Sequence, residues 1–439
     1  MQSTTTTQPV AMPAAVPSIW VGAWANAMTN AVGNAVNTGG SDRTFRFLVY
    51  PTIGGTQERV RFSNFYGTTP VTIGAARLSL GAQGSRQIDT TQDQPLTFSG
   101  ATSVVVPAGQ VVVSDPVKIT FSYGQTLAVS MYLKGTYGLV SRHDGIFPQN
   151  YMSADGAGDL TADSSGNGLT STHAEWLLLN GVDVYGPYQG TFILFGSSTT
   201  DGWRSNYSST AVYPTPNAPV DGQFTDRLSD WLARRLNAAG YHIGVVNLGV
   251  PGDTVTDDIT NTQNSVQNAN QRVGHDALTI PNPLAMVTYF GSIDIRSPDC
   301  KSAPAIEEAT TRLVSAAHAA SLPVILATIP PSAFCTNPAQ ANFGPIPTAA
   351  DPYAGGVAPG STPNGGEVQR IALNQWIRST GATLAGVVAI ADFSAALEDP
   401  ARPSFLQSQY NSGDNFHPNG NGYHAEADAI PLSVLPAPR

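Results

Sequence analysis

The chain of 439 residues is poor in charge and in cysteine. Only 12% of its residues are charged, and only two are cysteines. A small domain held together by several disulfides is therefore excluded. Lys and Arg number 21 against 31 Asp and Glu, which gives a net charge of −10. Without a basic excess, neither nucleic acid nor an anionic membrane surface is expected as a partner.

Long apolar runs are missing as well. No window approaches the roughly 18 uninterrupted apolar residues of a membrane span, so no membrane insertion is expected. Residues 1–18 are rich in Thr, Pro and Ala, lack the basic start and apolar middle of a signal peptide, and are predicted to be a flexible segment. The chain has 43 Gly and 33 Pro, which together with low charge are typical of loop-rich secreted proteins. We expect a secreted or periplasmic location.

The two cysteines, Cys300 and Cys335, have no neighbouring Cys or His that would complete a metal site. No metal or other cofactor is therefore expected. In an oxidising compartment the pair would close a disulfide worth about 3 to 4 kcal/mol in loop entropy. Two buried thiols that never meet are the alternative, and the composition favours the disulfide.

Two different sequence periods divide the chain. In the first part, short bursts of alternating apolar and polar residues are separated mostly by Gly, Pro or Asn, which is typical of an antiparallel sandwich. We predict a β-sandwich domain, jelly-roll-like, over residues 19–188. The bursts lie at residues 43–50, 58–62, 104–106, 110–113, 117–121 and 127–132.

Beyond residue 190, strand and helix patterns alternate, which predicts a parallel sheet with helices on both faces. This second domain is expected to span residues 189–436. A stretch at residues 330–366, rich in Pro, Gly, Ala and Asn, is expected to border the active site. The strands are predicted at residues 191–195, 244–248, 284–290, 324–328 and 387–391, and the helices at 221–239, 305–321 and 367–379.

In an open α/β sheet, catalytic side chains belong in the loops after the strands. Three such loops read Gly196-Ser-Ser-Thr-Thr-Asp-Gly202, Asn247-Leu-Gly-Val-Pro-Gly-Asp-Thr254 and Gly291-Ser-Ile-Asp-Ile295. Near the C-terminus stands Asp414-Asn-Phe-His417. A hydroxyl, a nearby imidazole and a carboxylate are what nucleophilic catalysis by serine requires.

These blocks resemble the SGNH/GDSL hydrolase superfamily, in a secreted subgroup that carries a β-rich domain ahead of the hydrolase domain. Segments such as Arg59-Val-Arg-Phe-Ser-Asn64 and Ser412-Gly-Asp-Asn-Phe-His-Pro418 extend the resemblance over nearly the whole chain. The resemblance implies a flavodoxin-like α/β/α SGNH hydrolase fold for the second domain.

The resemblance also implies roles for single residues. Ser198 would attack the acyl carbon, His417 would act as general base, and Asp414 would orient the imidazole. The backbone N–H groups of Gly252 and Ser198 would stabilise the oxyanion.

Two positions depart from the superfamily pattern. The first block has Ser197 where Asp is usual, and the third has Ile293 where an oxyanion-binding Asn is usual. Loss of one such donor costs about a hundred- to a thousandfold in turnover. Ser292, Ser197 or Asn206 could supply the missing donor.

Three functions stay open at this point. The leading one is a hydrolase of carboxylic esters that removes acetyl groups from polysaccharide or oligosaccharide, or acts on a small-molecule ester. The second is a repurposed fold with acyltransferase or glycosidase activity, the latter through Asp253 or Asp294. The third is a catalytically impaired glycan-binding protein. Oligomeric state is left unassigned.

Some residues have less specific interpretations. His143 stands where it could reach the site from the first domain, and Asp201, in Thr-Asp-Gly, is expected to cap the turn that follows it. Asp253 and Asp294 are more simply explained as hydrogen-bond acceptors that fix loops. Loop aromatics either stack on sugars or cover apolar surface, and they are Trp203, Tyr207, Tyr213 and Tyr353.

Overall fold

A computed structural model describes most of the chain. Within the described ranges, no helix combines the length and apolar character needed to cross a bilayer. Most of the predicted flexible segment lies outside those ranges. They are residues 16–30, 37–143, 150–205, 226–257, 267–296, 298–331, 335, 337, 339–340 and 365–438.

In the described residues of the first part, the regular structure consists of strands. They are β1 (Ile19–Ala25), β2 (Gly40–Val49), β3 (Glu58–Ser63), β4 (Val71–Gly81), β5 (Ile88–Pro95), β6 (Val104–Val106), β7 (Val111–Val113), β8 (Leu127–Tyr137), β9 (Arg142–His143), β10 (Asn150–Met152), β11 (Ser171–His173), β12 (Trp176–Leu177) and β13 (Leu179–Gly186).

Two antiparallel sheets contain all of these strands except β9 and β12, which pair with each other. One has the order β1-β13-β3-β7, and the other runs β11-β10-β2-β8-β4-β5, with β6 also paired to β4. One hydrophobic cluster contains residues from both sheets, for example Phe62 of β3 and Phe47 of β2. A sheet-rich first part is therefore confirmed, whereas the jelly-roll arrangement stays a prediction.

The predicted strand at residues 117–121 does not form. Only its ends make isolated bridges, Val117 to Glu58 and Phe121 to Gly55. Between them, the backbone N–H of Ile119 donates to the buried carboxylate of Glu58 at 2.9 Å. The Glu58 side chain thus accepts the hydrogen bond that the backbone of a neighbouring strand would otherwise accept. Sequence periodicity does not reveal such an exchange of partners.

Strands and helices alternate in the second part. Its strands are β14 (Gly190–Gly196), β15 (Ile243–Gly249), β16 (Pro283–Tyr289), β17 (Val324–Ala327), β18 (Val387–Ala391), β19 (Glu398–Asp399) and β20 (Arg402–Leu406). Its helices are α1 (Ser198–Asp201), α2 (Leu228–Ala238), α3 (Ala269–Arg272), α4 (Ser292–Arg296), α5 (Ala303–Ala319), α6 (Gly365–Arg378), α7 (Phe393–Leu397) and α8 (Gly420–Ala429).

The main sheet of this part is parallel, with the order β15-β14-β16-β17-β18. In chain order this is 2-1-3-4-5, the flavodoxin-like arrangement, so the predicted fold of the hydrolase domain is confirmed. Of the helix predicted at residues 221–239, the structure shows α2 from Leu228 to Ala238, and residues 221–225 lie outside the described ranges. Alternate residues of β14 face opposite sides: Phe195 packs in the core that includes α5, and Phe192 packs in the core that includes α2.

The two parts meet where β1 lies against β15. A Cβ on Gly244 would stand only 2.1 Å from the carbonyl oxygen of Gly22, so the backbones approach as closely as glycine allows. The backbone N–H of Gly22 donates to Thr191 Oγ1 at 2.9 Å. Ala25 and Ala27, from the first part, belong to the same core cluster as residues of β14 and β15. The two parts therefore share buried surface.

Candidate active site

Three loops converge at the carboxyl edge of the parallel sheet. Gly196, at the end of β14, is in register with Gly249 of β15 on one side and with Tyr289 of β16 on the other. The loops that carry Ser198, Gly252 and Ser292 consequently start at the same level. Strand β14 lies between β15 and β16, where the strand order reverses, which is where open α/β sheets bind ligands.

Ser198, His417 and Asp414 form a continuous chain of hydrogen bonds. Ser198 Oγ lies 2.9 Å from His417 Nε2, and His417 Nδ1 lies 2.7 Å from Asp414 Oδ2. A carboxylate only accepts, so Nδ1 carries the ring proton and leaves the Nε2 lone pair facing the serine hydroxyl. Ser198 is the first residue of α1 and not its N-cap. The N-cap is Ser197, whose side chain makes no capping hydrogen bond.

Asp414 is fixed mainly by residues close to it in sequence. Its Oδ1 accepts the backbone N–H groups of Phe416 at 2.9 Å and His417 at 2.8 Å. Its Oδ2 is also 3.1 Å from Arg204 Nε. Burial raises the pKa of Asp414, but the bonds from His417 outweigh it and hold the pKa well below its ordinary value. The carboxylate is therefore charged whenever the protein is folded near neutral pH.

His417 has a lowered pKa. Burial disfavours the imidazolium, and only part of this effect is offset by the hydrogen bond and charge of Asp414. The positive charges of Arg296 and Arg204 lower the pKa further. Neutral imidazole, the form that can accept a proton from Ser198, is consequently favoured at neutral pH.

The predicted oxyanion residues occupy the same edge of the sheet. Gly252 has φ +81°, a backbone conformation that favours glycine. Ser197 is buried, and its hydroxyl makes no hydrogen bond to any residue the structure describes. Ile293 is 9% exposed and offers no donor, while Ser292 begins α4 and is buried. Asn206 lies outside the described residues.

Asp253 and Asp294 are both held by internal partners. Asp253 accepts from Arg272 Nε at 2.6 Å and from the backbone N–H of Thr254 at 2.9 Å. Asp294, fully buried, accepts from Thr256 through its backbone N–H at 2.9 Å and its hydroxyl at 2.7 Å. These bonds agree with the interpretation that both carboxylates fix loops.

Sequence reasoning missed three arginines. Arg204 bonds Asp414, Arg296 lies with its guanidinium 4.2 Å from the ring centroid of Phe416, and Arg272 is fully buried beneath the site. Arg204 and Arg296 each follow a recognised block within a few residues, which was the available signal. Arg272 had none, because apart from Asp276 its partners lie 19 or more positions away in sequence.

Two less specific expectations are corrected or extended. Asp201 does not cap the turn that follows it; its Oδ1 lies 3.2 Å from Nε2 of His143, which does reach across from the first part, and its Oδ2 makes no hydrogen bond to any described residue. Of the loop aromatics, Trp203 is 42% exposed, and its ring centroid lies 6.4 Å from that of His417. Tyr207, Tyr213, Tyr353 and most of residues 330–366 lie outside the described residues.

The expected disulfide between Cys300 and Cys335 is present.

The sequence profile of the GDSL-like lipase/acylhydrolase family matches residues 194–425. The chain belongs to this family. The GDSL-like match spans all three loops and the Asp414–His417 segment, so the predicted membership is confirmed over more than half of the chain. At this level the protein is a carboxylic ester hydrolase of the GDSL type.

Solved GDSL-type and related esterases are similar to the C-terminal part at low identity. A carbohydrate acetylesterase from Sinorhizobium meliloti is 18% identical, with 55% of this chain and 95% of that chain covered and a TM-score of 0.37. An inhibitor-bound aryl esterase from M. smegmatis is 16% identical, with 56% and 99% covered and a TM-score of 0.39. No curated protein sequence matches the chain.

Proposed function

We propose that this esterase works by a Ser198–His417–Asp414 triad. The observation that carries the proposal is the unbroken hydrogen-bond chain from Ser198 Oγ through His417 to Asp414, with donor and acceptor roles fixed by the carboxylate. His417 Nε2 takes the proton of Ser198 as the hydroxyl attacks the acyl carbon, and returns it to the leaving alcohol. Water then attacks the acyl-enzyme by the same route in reverse.

The oxyanion would be held by the backbone N–H groups of Ser198 and Gly252. The usual third donor is missing at Ile293, so we propose that a serine hydroxyl takes its place. Ser197 and Ser292 are the candidates among the described residues, since each follows a strand that ends at the site. Ser197 has the stronger support, because its buried hydroxyl lacks a hydrogen-bond partner in the described part of the chain.

For the substrate we propose an acetyl ester of a polysaccharide or oligosaccharide. Trp203 supports this choice, because a large exposed indole stands beside the proposed base, and aromatic faces of this kind bind the apolar faces of sugar rings. Low surface charge suits a neutral glycan. We also propose that the two N-terminal sheets form a sandwich and that the protein is secreted or periplasmic.

The first experiment compares hydrolysis of 4-nitrophenyl acetate by the wild type and Ser198→Ala. We expect the wild type to turn over and the variant to lose at least about a thousandfold in kcat. Ser315→Ala, on the exposed side of α5, is the matched control and should retain full activity. Wild-type turnover that survives in Ser198→Ala would refute the triad.

The sugar proposal needs its own comparison. Acetylated xylo-oligosaccharide and 4-nitrophenyl acetate would be given to the wild type, Trp203→Ala and the control Trp231→Ala. Loss of the indole should raise KM for the oligosaccharide about tenfold or more while the aryl acetate changes little. Equal effects on both substrates would contradict a sugar-binding role. Glycan retention without any ester turnover would favour the impaired-binder alternative, and cleavage of glycosidic bonds would favour the repurposed hydrolase.

A further inference from the structure

A buried histidine and a buried aspartate meet at the boundary between the two parts of the chain. His143 belongs to β9 of the first part, and Asp201 is the last residue of α1, three positions after Ser198. His143 Nε2 lies 3.2 Å from Asp201 Oδ1, and each residue is only 2% exposed. Such a polar contact, shielded from water, is stronger than a surface pair and costly to break.

The proton positions in this pair follow from its neighbours. His143 Nδ1 lies 2.7 Å from the backbone carbonyl oxygen of Ala27, which can only accept, so Nδ1 carries a hydrogen. Nε2 and the Asp201 carboxylate can approach to 3.2 Å only if a second proton lies between them. The pair therefore holds one shared proton, as imidazolium with carboxylate or as imidazole with carboxylic acid.

Asp201 depends on this partner. Its other oxygen, Oδ2, is buried and makes no hydrogen bond to any residue that the structure describes. Its backbone N–H donates to the carbonyl oxygen of Ser197 at 3.0 Å, which closes the single turn that presents Ser198. If His143 is lost, a buried carboxylate loses the bond to Oδ1, and the short helix must move to expose it.

The first part of the chain also holds His143 firmly. Strand β9 pairs with β12, where His143 stands opposite Trp176, and the two rings have centroids 5.8 Å apart. Because Ala27 fixes one nitrogen and Trp176 flanks the ring, Nε2 has a defined direction toward α1.

We infer that His143 is a positioning residue for the nucleophile turn: through the shared proton with Asp201, the N-terminal part sets the place of Ser198. The inference rests on the proposed role of Ser198 as nucleophile. It gives the N-terminal part a function in catalysis that does not require any contact with substrate.

The test compares four variants of the full chain for kcat, KM and the rate at which a fluorophosphonate probe labels the serine. His143→Phe keeps a ring but no donor, and should lower kcat and labelling about a hundredfold with little change in KM, as a small misplacement of a nucleophile does. Asp201→Asn keeps a hydrogen bond, since its amide donates to the neutral Nε2 of His143, and should stay within about threefold of wild type.

The double variant and a control separate positioning from stability. His143→Phe combined with Asp201→Asn buries no unpartnered charge, so it should recover part of the activity lost by His143→Phe alone. His173→Phe is the control, because His173 is another histidine of the first part whose side chain is only 3% exposed, and it packs on Phe45 and Phe47. It should leave kcat and the labelling rate unchanged.

The outcomes distinguish failure of the inference from failure of the proposed triad. If the wild type is not labelled, or is labelled equally in Ser198→Ala, the triad itself is wrong. If the wild type is labelled at Ser198 and folded His143→Phe matches it or matches His173→Phe, the inference is overturned. Should His143→Phe not fold, Asp201→Leu, which cannot bond His143, takes its place. A hundredfold loss of kcat and labelling in Asp201→Leu but not in Asp201→Asn supports the inference, and near wild-type values in a folded Asp201→Leu overturn it.

Discussion

The proposed triad has two arms that are held in different ways. The base arm is His417 with Asp414, and the nucleophile arm is Ser198 on α1. His417 and Asp414 lie three residues apart, and most bonds to Asp414 come from the same segment. Ser198 sits on a one-turn helix whose surroundings come from distant sequence. His143 bonds Asp201 from 58 positions away, and Arg272 donates to the carbonyl oxygen of Gly196 from 76 positions away.

This difference separates local from global requirements for activity. The hydrogen bonds between His417 and Asp414 require only that the C-terminal segment adopts its turn. The position of the nucleophile depends on contacts from β9, β14, β15 and α3 together. Substitutions in the base arm should therefore affect chemistry with little effect on stability, and substitutions around the nucleophile should affect both.

The largest effect is expected in the base arm. Asp414→Asn keeps the size of the side chain but allows the wrong imidazole tautomer, so kcat should fall about ten-thousandfold. The measurement is steady-state hydrolysis of an aryl acetate, with folding checked by circular dichroism. Asp428→Asn, an exposed carboxylate on α8, is the control. Activity of Asp414→Asn within tenfold of wild type would show that Asp414 does not orient His417.

Arg272→Met tests the support of the nucleophile arm. The guanidinium of Arg272 bonds Asp253, Asp276 and the carbonyl oxygens of Gly196 and Leu248. Its loss leaves two buried carboxylates without their cation, which should lower the free energy of unfolding by about 3 to 5 kcal/mol.

Urea denaturation would measure this loss. Arg312→Met is the matched control, because that guanidinium is 46% exposed on α5, and it should change stability by less than about 0.5 kcal/mol. If both variants are equally stable, the buried arginine network does not hold the turn.

Ile293→Asn, unlike the two substitutions above, is expected to increase activity. Restoring an amide donor beside the nucleophile arm is expected to raise kcat about tenfold, a fraction of the effect attributed to a complete oxyanion donor. Ile293→Leu has no donor and a similar volume, so it should not be faster than wild type. If the Asn variant gains nothing, another donor already fills the role, and Ser197→Ala and Ser292→Ala would identify it.

The smallest expected effect concerns pH. His417 must be neutral to act as base, and its pKa is lowered, so kcat/KM should rise with pH to a plateau through a midpoint below 6.5. Arg296→Gln removes a positive charge that lowers this pKa and should move the midpoint upward by up to about one pH unit. A midpoint above 6.5 in the wild type would contradict the proposed environment of His417.

The sequence predicted what local patterns determine. All five strands of the parallel sheet lie within two residues of their expected bounds, because each is a short apolar run, buried on both faces in all but β18 and the start of β16. The Asp414-to-His417 spacing was readable because one turn supplies both groups. Arg272 and the bond between His143 and Asp201 were not readable, since they depend on which distant segments the fold brings together.

Thr52, in the first part of the chain, contacts an edge strand of the second part. Strand β15 is at the edge of the parallel sheet, where unpaired backbone groups can recruit strands of other chains. The hydroxyl of Thr52 accepts the N–H of Val245 at 2.8 Å and lies 2.9 Å from its carbonyl oxygen. During synthesis the N-terminal part emerges first. The residue that covers the backbone of Val245 on this edge is therefore synthesised before the edge itself.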